Sequence, residues 1–571
     1  MIEEKIKEYI SKVLQELGIA DVAFTIEHPA DLTHGDFATN VAMVVAKKAG
    51  KNPRALAEEI VSVLKKKNDE NIFDITIAGP GFINFTLSQK YFIERLENAL
   101  REGENFGCNK TLEGKKIAIE YIDPNPFKQF HIGHLMQAAI GESLARITEA
   151  TGATTKRVCY QGDKGMHIAS AVWGMLQLEL PQETATLLDR AEFLGRAYAL
   201  GATKAKEGVI VKAEILELNK KIYTESDEKI NAIYKLGKNW SLEYFETIYK
   251  RLGVGHGGAR AFDLYFLESV TGEIGKNIVD AHPEIFEKSN GAVVFHGEKY
   301  DQKLHTRVFI NSEGLPTYEV KELGLAKLKF DTFPYDVSIV ITANEVNDYF
   351  QVLLCAMHQI FPDLAAKTEH YSHGMLRLPT GKMSSRTGDV IVATALIDDT
   401  KERAAQKIAD TELNDEEKEA LTEAVAIGAI KYSILRQASS KDIIFDFEQS
   451  LSFEGDSGPY LQYTFARTQS LLAKAGDKKI DMQTMQGETG ALHKYLLRFP
   501  KVVLRAQEER APHYIATYLI EIAREFNSFY GNTMILDGAS DEGYKLALVT
   551  LTKNVLERGL WLLGISTPSK M

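Results

Sequence analysis

The chain has 571 residues, of which 44% are hydrophobic and 26% charged, and its net charge is −12. That length exceeds what one core sustains and points to about three or four domains of ordinary globular composition. The acidic balance argues against indiscriminate nucleic-acid binding while leaving room for a local basic face, and no apolar run is long enough to span a bilayer.

Residues 1–110 predict a small α+β unit. Ile2, Ile6, Ile10, Val13 and Leu17 recur at helical spacing in an acidic segment, which is unlike a signal peptide. VAFTIEH (22–28) predicts a strand. Helices are expected from about Asn40 to Lys48 and from Pro53 to Lys65, the second with proline in its first turn. The run Lys65-Lys66-Lys67 reads as a solvated helix end. FDITIAGPGFINFTL predicts two short strands joined by a Gly-Pro-Gly turn. A helix over KYFIERLENALREG and a linker over NFGCNKTLEGK close the unit.

Residues 111–395 predict an open α/β domain. KKIAIEYI is a strand, a Pro-rich loop and a helix over about 132–151 follow, and TKRVCYQGD is a second strand. Strand–helix–strand is the start of a parallel sheet. Residues 177–290 are more polar and mostly helical in pattern, so they predict a helical insertion. Strand signals return in GAVVFH, TRVFINS and YDVSIVITAN (335–344), the last followed by a helix over DYFQVLLCAMHQIF. From 396 to 571 helical periods dominate, which predicts an all-α domain. The expected architecture is therefore multidomain α/β: a Rossmann-like parallel-sheet core with a helical insertion, an N-terminal α+β domain and a C-terminal helical bundle.

Cys108, Cys159 and Cys355 stand far apart. They give no zinc pattern and suit a reducing compartment, so a cytoplasmic protein is expected.

His131-Ile-Gly-His134 lies where the first strand hands over to a helix. Three readings are open. Two zinc ligands would need further Cys or His partners that the neighbouring sequence lacks, so no metal site is expected. A cap or packing role is the bland reading. A phosphate site draws on the helix N-terminus, two imidazoles on one face, a side-chain-free Gly133 and the cation Lys128, at the strand end where open α/β sheets bind nucleotides. A second candidate is Lys382-Met383-Ser384-Ser385-Arg386-Thr387-Gly388, with two cations, two hydroxyls and a glycine but no Walker spacing. It reads as a loop for developing diphosphate charge or as a plain surface turn.

HIGH at 131–134 together with KMSSR at 382–386 resembles the class I aminoacyl-tRNA synthetases. EYIDPNPFKQFHIGHL, HGDFATNVAMVVAKKAGKNPRALAEEI with AGPGFINF, PTYEVKELGLAK and FDFEQSLSFEGDSGPYLQYTFAR are similar to the arginyl-tRNA synthetase family over nearly the whole chain. The resemblance implies attack of the arginine carboxylate on the α-phosphate of ATP, release of diphosphate, and transfer of the arginyl group to the tRNA 3′ end. It implies ATP with Mg2+ as substrate, no tightly bound cofactor, tRNA and L-arginine as partners, no membrane and a monomer. His131, Gly133, His134 and Lys128 would handle ATP, with Lys382, Met383, Ser384, Ser385 and Arg386 closing over it. Catalysis would rest with Lys128, His131, His134 and Lys382. Glu120, Asn125, Tyr318 and Glu322 would take arginine. The N-terminal unit would read the tRNA elbow through Phe82 and Asn84, and the helical C-terminus the anticodon through Tyr460 and Arg467, with Tyr463, Phe526, Phe529, Tyr530 and Trp561 as further aromatics. Phe82 is equally readable as core, and most of the C-terminal aromatics as packing.

The chain departs from the family pattern at four places. Ser385 replaces the second lysine of KMSK, with Lys128 as a stand-in cation. Glu322 replaces an aspartate. Val346 and His167 stand where glutamine is common. Three other readings remain. A small nucleotidylyltransferase shares HIGH but would have no use for the additional tRNA-binding architecture. A cysteinyl synthetase would need a zinc-held substrate site. A non-catalytic tRNA-binding paralogue would have no use for the phosphate apparatus.

Overall fold

A computed structural model describes residues 2–571 except 20, 21, 30, 380–390, 410, 477, 479 and 481–486. The chain forms two compact units, one of Met1–Phe106, Arg467–Phe499 and Glu521–Leu556, the other of Gly107–Ala466, Pro500–Ile520 and Glu557–Met571.

In the first unit, the apolar stripe of the helix Ile2–Glu16 buries Ile6, Ile10, Val13 and Leu14. The helix Pro53–Lys66 buries Leu56, Ile60 and Leu64 in the same core. Each such side chain contributes about 2 kcal/mol of apolar burial. Pro53 opens its helix as expected, and Asn52 accepts the Arg54 and Ala55 N–H groups. An antiparallel sheet runs Phe37–Thr39, Phe82–Leu87, Ile72–Ala78 in spatial order. The last two strands meet through the Gly-Pro-Gly turn, where Gly79 and Gly81 take positive φ. The strand expected over 22–28 does not form: only Glu27 bridges, to Ala38. Phe24 and Ile26 are buried without a ladder, so their apolar character marks core and not strand.

In the second unit a five-stranded parallel sheet has the spatial order Thr368–His373, Val337–Ala343, Lys116–Glu120, Thr154–Gln161, Leu264–Leu267. In chain order this is 5-4-1-2-3, a doubly wound sheet whose order reverses between Lys116–Glu120 and Val337–Ala343. Crossover helices on both faces bury the strands, which is why they read as continuous apolar runs. In open α/β sheets ligands bind beyond the carboxyl ends of the strands at such a reversal. Glu120 is the last residue of the first, opposite Val158 on one side and Val340 on the other. The helix Ile132–Ala150 starts just beyond it.

The polar span after Gln177 is helical, as expected, over Leu187–Glu207, Val209–Thr224 and Glu228–Arg251. Its pattern breaks at Leu264–Leu267, which the sequence reading folded into the helical insertion and which is a strand of the parallel sheet. Ala292–His296 and Thr306–Ile310 are strands as expected, but they pair antiparallel with Glu287–Ser289 in a separate sheet. Beyond residue 390 the chain is almost wholly helical, from Ala393–Ile408 through Glu542–Leu562. No helix among the described residues is long and apolar enough to cross a membrane.

Candidate active site

The loop between Glu120 and the helix Ile132–Ala150 is strained. Ile122, Asp123 and Phe127 take φ of 78°, 43° and 67°, values that side chains with a Cβ rarely adopt. Tertiary bonds hold them there. Asp123 Oδ1 accepts the Tyr160 N–H at 2.7 Å, and the Phe127 N–H donates to Ser241 Oγ at 2.9 Å.

His131 is the N-cap of the helix. Its Nδ1 accepts the Gly133 N–H at 3.1 Å, while His134 Nδ1 accepts the His131 N–H at 3.2 Å. The two rings stack with centroids 3.7 Å apart. The imidazoles thus satisfy helix amides that the phosphate reading left free for an anion, which corrects that part of it. A Cβ on Gly133 would lie 2.9 Å from the His131 ring, so the missing side chain makes room for the cap itself. With both Nδ1 atoms accepting, both protons sit on Nε2, so each ring retains one N–H donor. Burial and then the charge of Lys128 hold the His131 ring below its ordinary range. Burial, His131 and Lys128 push His134 further down. Both are neutral donors at neutral pH. The Lys128 ammonium lies 5.5 Å over the Tyr198 ring, and burial lowers it against the opposing charge of Glu268.

Lys382, Met383, Ser384, Ser385, Arg386 and Gly388 lie outside the described residues. The described chain resumes at Ile391, whose carbonyl accepts the Ile132 N–H at 3.1 Å, and the Ala393 N–H donates to Phe130 at 2.8 Å.

Carboxylates gather at the carboxyl ends of the strands. Glu120 is 1% exposed, and its Oε2 accepts from Lys329 Nζ at 2.5 Å. Glu268, first residue of the helix after the third strand, is paired with Lys321 at 2.5 Å. Glu322 is partly buried and has no hydrogen bond or ion pair among the described residues. Burial first, then the charge of Glu120, pushes the Glu322 carboxyl well above its ordinary range despite Lys329. Burial and Glu120 do the same to Asp123. Three carboxyls thus share this corner with Lys329, and two of them are held toward the protonated form.

Asn125 Oδ1 lies so near Gly162 that a Cβ there would come within 2.1 Å of it and 3.2 Å of Glu268 Oε1. Gly162 therefore admits Asn125 beside Glu268. Asp163 is a structural tie: it accepts from Ser269 N and Oγ at 2.8 Å, Tyr234 at 3.1 Å and Lys238 at 3.2 Å. Tyr318 opens the helix Tyr318–Thr332 with 61% of its surface exposed, one turn before Glu322. His167 Nε2–H donates to the Gly162 carbonyl at 3.1 Å, and burial lowers the ring to about 3. Val346 packs against the apolar core beside the sheet. Among the described residues no group of three His, Cys, Asp or Glu side chains is placed to hold a metal ion.

A family model for "tRNA synthetases class I (R), catalytic domain" matches residues 95–447, that is, more than half the chain. The arginyl tRNA synthetase N-terminal domain model matches 2–87, and the DALR anticodon binding domain model matches 461–571. The chain is 31% identical to the arginine–tRNA ligase of Clostridium acetobutylicum, covering 99% of both chains. It is 30% identical to that of Thermococcus sibiricus, covering 100% of this chain and 99% of the other. It belongs to the arginyl-tRNA synthetase family. The fold agrees: the Thermus thermophilus arginyl-tRNA synthetase superposes with TM-score 0.79 at 23% identity over 100% of both chains. The Plasmodium falciparum arginyl-tRNA synthetase superposes with TM-score 0.80 at 20% identity over 100% of this chain and 99% of the other.

Within this synthetase fold, the sequence reading missed Asp123, Glu268, Lys321 and Lys329. Each has an ordinary local context, and only the sheet order brings them together. Of the tRNA candidates, Phe82 is 41% exposed and Asn84 6% exposed, two residues apart on one strand and so on one face. Asn84 has no side-chain hydrogen bond among the described residues. Arg467 donates to Asn527 and lies 5.0 Å over the Tyr530 ring. Tyr460 is partly buried at the start of the helix Gly458–Ala475. Phe526 is fully buried, which makes it core, and the Arg146 and Arg558 guanidinium groups lie 5.2 and 5.0 Å from the Trp561 ring.

Proposed function

We propose that the protein is an ATP-dependent ligase that activates L-arginine as arginyl-adenylate and transfers it to the 3′ end of its cognate tRNA, releasing AMP and diphosphate. The observation that carries the arginine assignment is Glu322, partly buried beside Glu120 and Asp123 and without a hydrogen bond or ion pair among the described residues. A planar cation with several N–H donors meets that demand, and a neutral amino acid side chain does not.

The steps assign roles to this chain's residues. The Nε2–H groups of His131 and His134 donate to the phosphates of magnesium-bound ATP, and Lys128 adds the fixed charge that Ser385 does not supply. Asn125 and Tyr318 accompany Glu120 and Glu322 around the amino acid. The arginine carboxylate attacks the α-phosphorus, and the bond to the diphosphate oxygen breaks. Neutral imidazoles need no proton for this; they stabilise charge that grows on the phosphate oxygens. Lys382 and the residues to Arg386 take the departing diphosphate.

For tRNA, Phe82 and Asn84 fit an extruded base, which needs an aromatic face and partners for its edge. Tyr460 and Arg467 serve the anticodon. Residues 1–110, 111–395 and 396–571 are then the elbow-reading, catalytic and anticodon-reading parts. The protein works as a cytoplasmic monomer.

The test is ATP-dependent charging of bulk tRNA with each of the amino acids in turn. Label on arginine alone supports the reading. Charging with cysteine, or with none, overturns it. Lys128→Ala should lower the adenylate-forming rate about 100-fold, as loss of one charge-stabilising group does, and near-normal diphosphate exchange would remove Lys128 from the mechanism.

A further inference from the structure

One buried cation has no place in that scheme. Lys329 lies on the helix Tyr318–Thr332 with its side chain 3% exposed. Its ammonium donates to Glu120 and makes no other hydrogen bond or ion pair among the described residues. A fold gains little from such a pair, because apolar residues of similar volume commonly serve as well or better. The reason for Lys329 has to lie in what surrounds Glu120.

Among the described residues, six titratable groups interact with that carboxylate. Lys329 and Glu322 come from the helix Tyr318–Thr332, Asp123 from the strained loop, and Tyr335 from just before the strand Val337–Ala343. Tyr349 comes from the helix Asn347–Ile360, and Cys159 from the strand Thr154–Gln161. Three of the seven groups, counting Glu120, are carboxyls and one is a cation. Without Lys329 three carboxylates would face a single guanidinium. A site with that surplus takes up a proton, and a proton competes with the cation it is meant to bind.

We propose that Lys329 is a specificity-setting positioning residue, which cancels the charge of Glu120 and fixes its orientation, so that two carboxyls and not three are left to share one guanidinium. This deepens the arginine reading and rests on it. Lys329 touches neither arginine nor ATP; it acts through Glu120. Its signature is a shift in the pH dependence of arginine use with little effect on ATP.

The experiment is steady-state aminoacylation by the full-length protein between pH 6 and 9, with arginine and ATP varied separately. Lys329→Gln keeps a donor on Glu120 and removes the charge; Lys329→Arg keeps both. Lys329→Met is carried in parallel in case one neutral variant does not fold, and thermal melts show which do. For the neutral variant, KM for arginine is expected to rise about 30-fold, with KM for ATP within about 2-fold. The acid limb of kcat/KM for arginine moves up by about one pH unit or more, and Lys329→Arg moves it back. An arginine KM and acid limb at wild-type values in the neutral variant overturn the proposal. So does a loss that falls equally on kcat and both KM values and that arginine at 329 does not rescue, since that is the mark of a merely structural lysine. Wild-type protein that fails to charge arginine at all sinks the underlying reading instead.

Discussion

Two buried charge clusters sit in the same compact unit and are built to opposite rules. Around Glu142, on the helix Ile132–Ala150, every acceptor is used. Oε1 accepts from Arg146 at 2.7 Å and Arg157 at 3.0 Å, and Oε2 from Arg157 at 3.0 Å, Tyr121 at 2.7 Å and the Gly255 N–H at 3.1 Å. Arg157 reaches on to Glu149 at 2.5 Å, so two guanidiniums answer two carboxylates. Burial pushes the Glu142 carboxyl up, but Arg146 and Arg157 outweigh it and hold it at about 2. Around Glu120, among the described residues, the acids exceed the neighbouring lysine, and Glu322 has no ion pair and is pushed up. A saturated cluster locks the fold. An unsaturated one stores a demand that only a ligand meets, and its cost in stability is the mark of a site.

The two clusters should answer mutation in opposite ways. The largest effect is expected from Glu322→Gln. It should lower kcat/KM for arginine about 1,000-fold, as removing one partner of a desolvated charge pair does, while the melting temperature holds or rises. A drop in stability with arginine kinetics intact would place Glu322 in the locking class. Arg157→Met should do the reverse. It leaves Glu142 and Glu149 short of a partner at a stability cost of about 3–5 kcal/mol by denaturant melts, with the arginine KM of the folded protein unchanged.

Acid sharpens the contrast, because the two clusters carry opposite signs. Glu142 is depressed from 4.5 to about 2, so its contribution is present above 4.5 and lost as pH falls toward 2. The difference amounts to about 3 kcal/mol. Glu322 is raised, so its ionised form costs stability above its unfolded value and protonation relieves that cost as pH falls. Melts of the two Gln variants across pH 3 to 8 should therefore converge on wild type from opposite sides as pH drops: Glu142→Gln from below, Glu322→Gln from above. Curves that run parallel to wild type would mean that neither carboxylate is perturbed. The smallest stability effect is expected from His131→Asn. Asparagine caps a helix well, so stability should stay within about 1 kcal/mol, while the lost Nε2–H lowers the adenylate-forming rate about 10- to 100-fold. Full activity would reduce His131 to a cap.

Much of this was legible in one dimension. His131-Ile-Gly-His134 marked the helix entrance, and the structure adds that the bare glycine makes room for the imidazole cap. Pro53 and the Gly-Pro-Gly turn were readable because their conformational limits are local. The segment 22–28 was not, since burial of Phe24 and Ile26 alternates as in a strand without a partner along its length. Nor was Leu264–Leu267, too short a run to stand out from a helical neighbourhood. The left-handed turn at Ile122 and Asp123 contains no glycine to announce it.

The sequence by itself determined most of the helices, the first and second strands of the parallel sheet and where the first crossover begins, because capping, periodicity and turn chemistry act over a few residues. Only the tertiary structure decided that Lys329 meets Glu120 across 209 positions, that Asn125 enters beside Gly162, and that Glu322 has no ion pair among the described residues. Charge balance is summed over space, and the order of strands in the sheet, not their order in the chain, chooses which charges are summed.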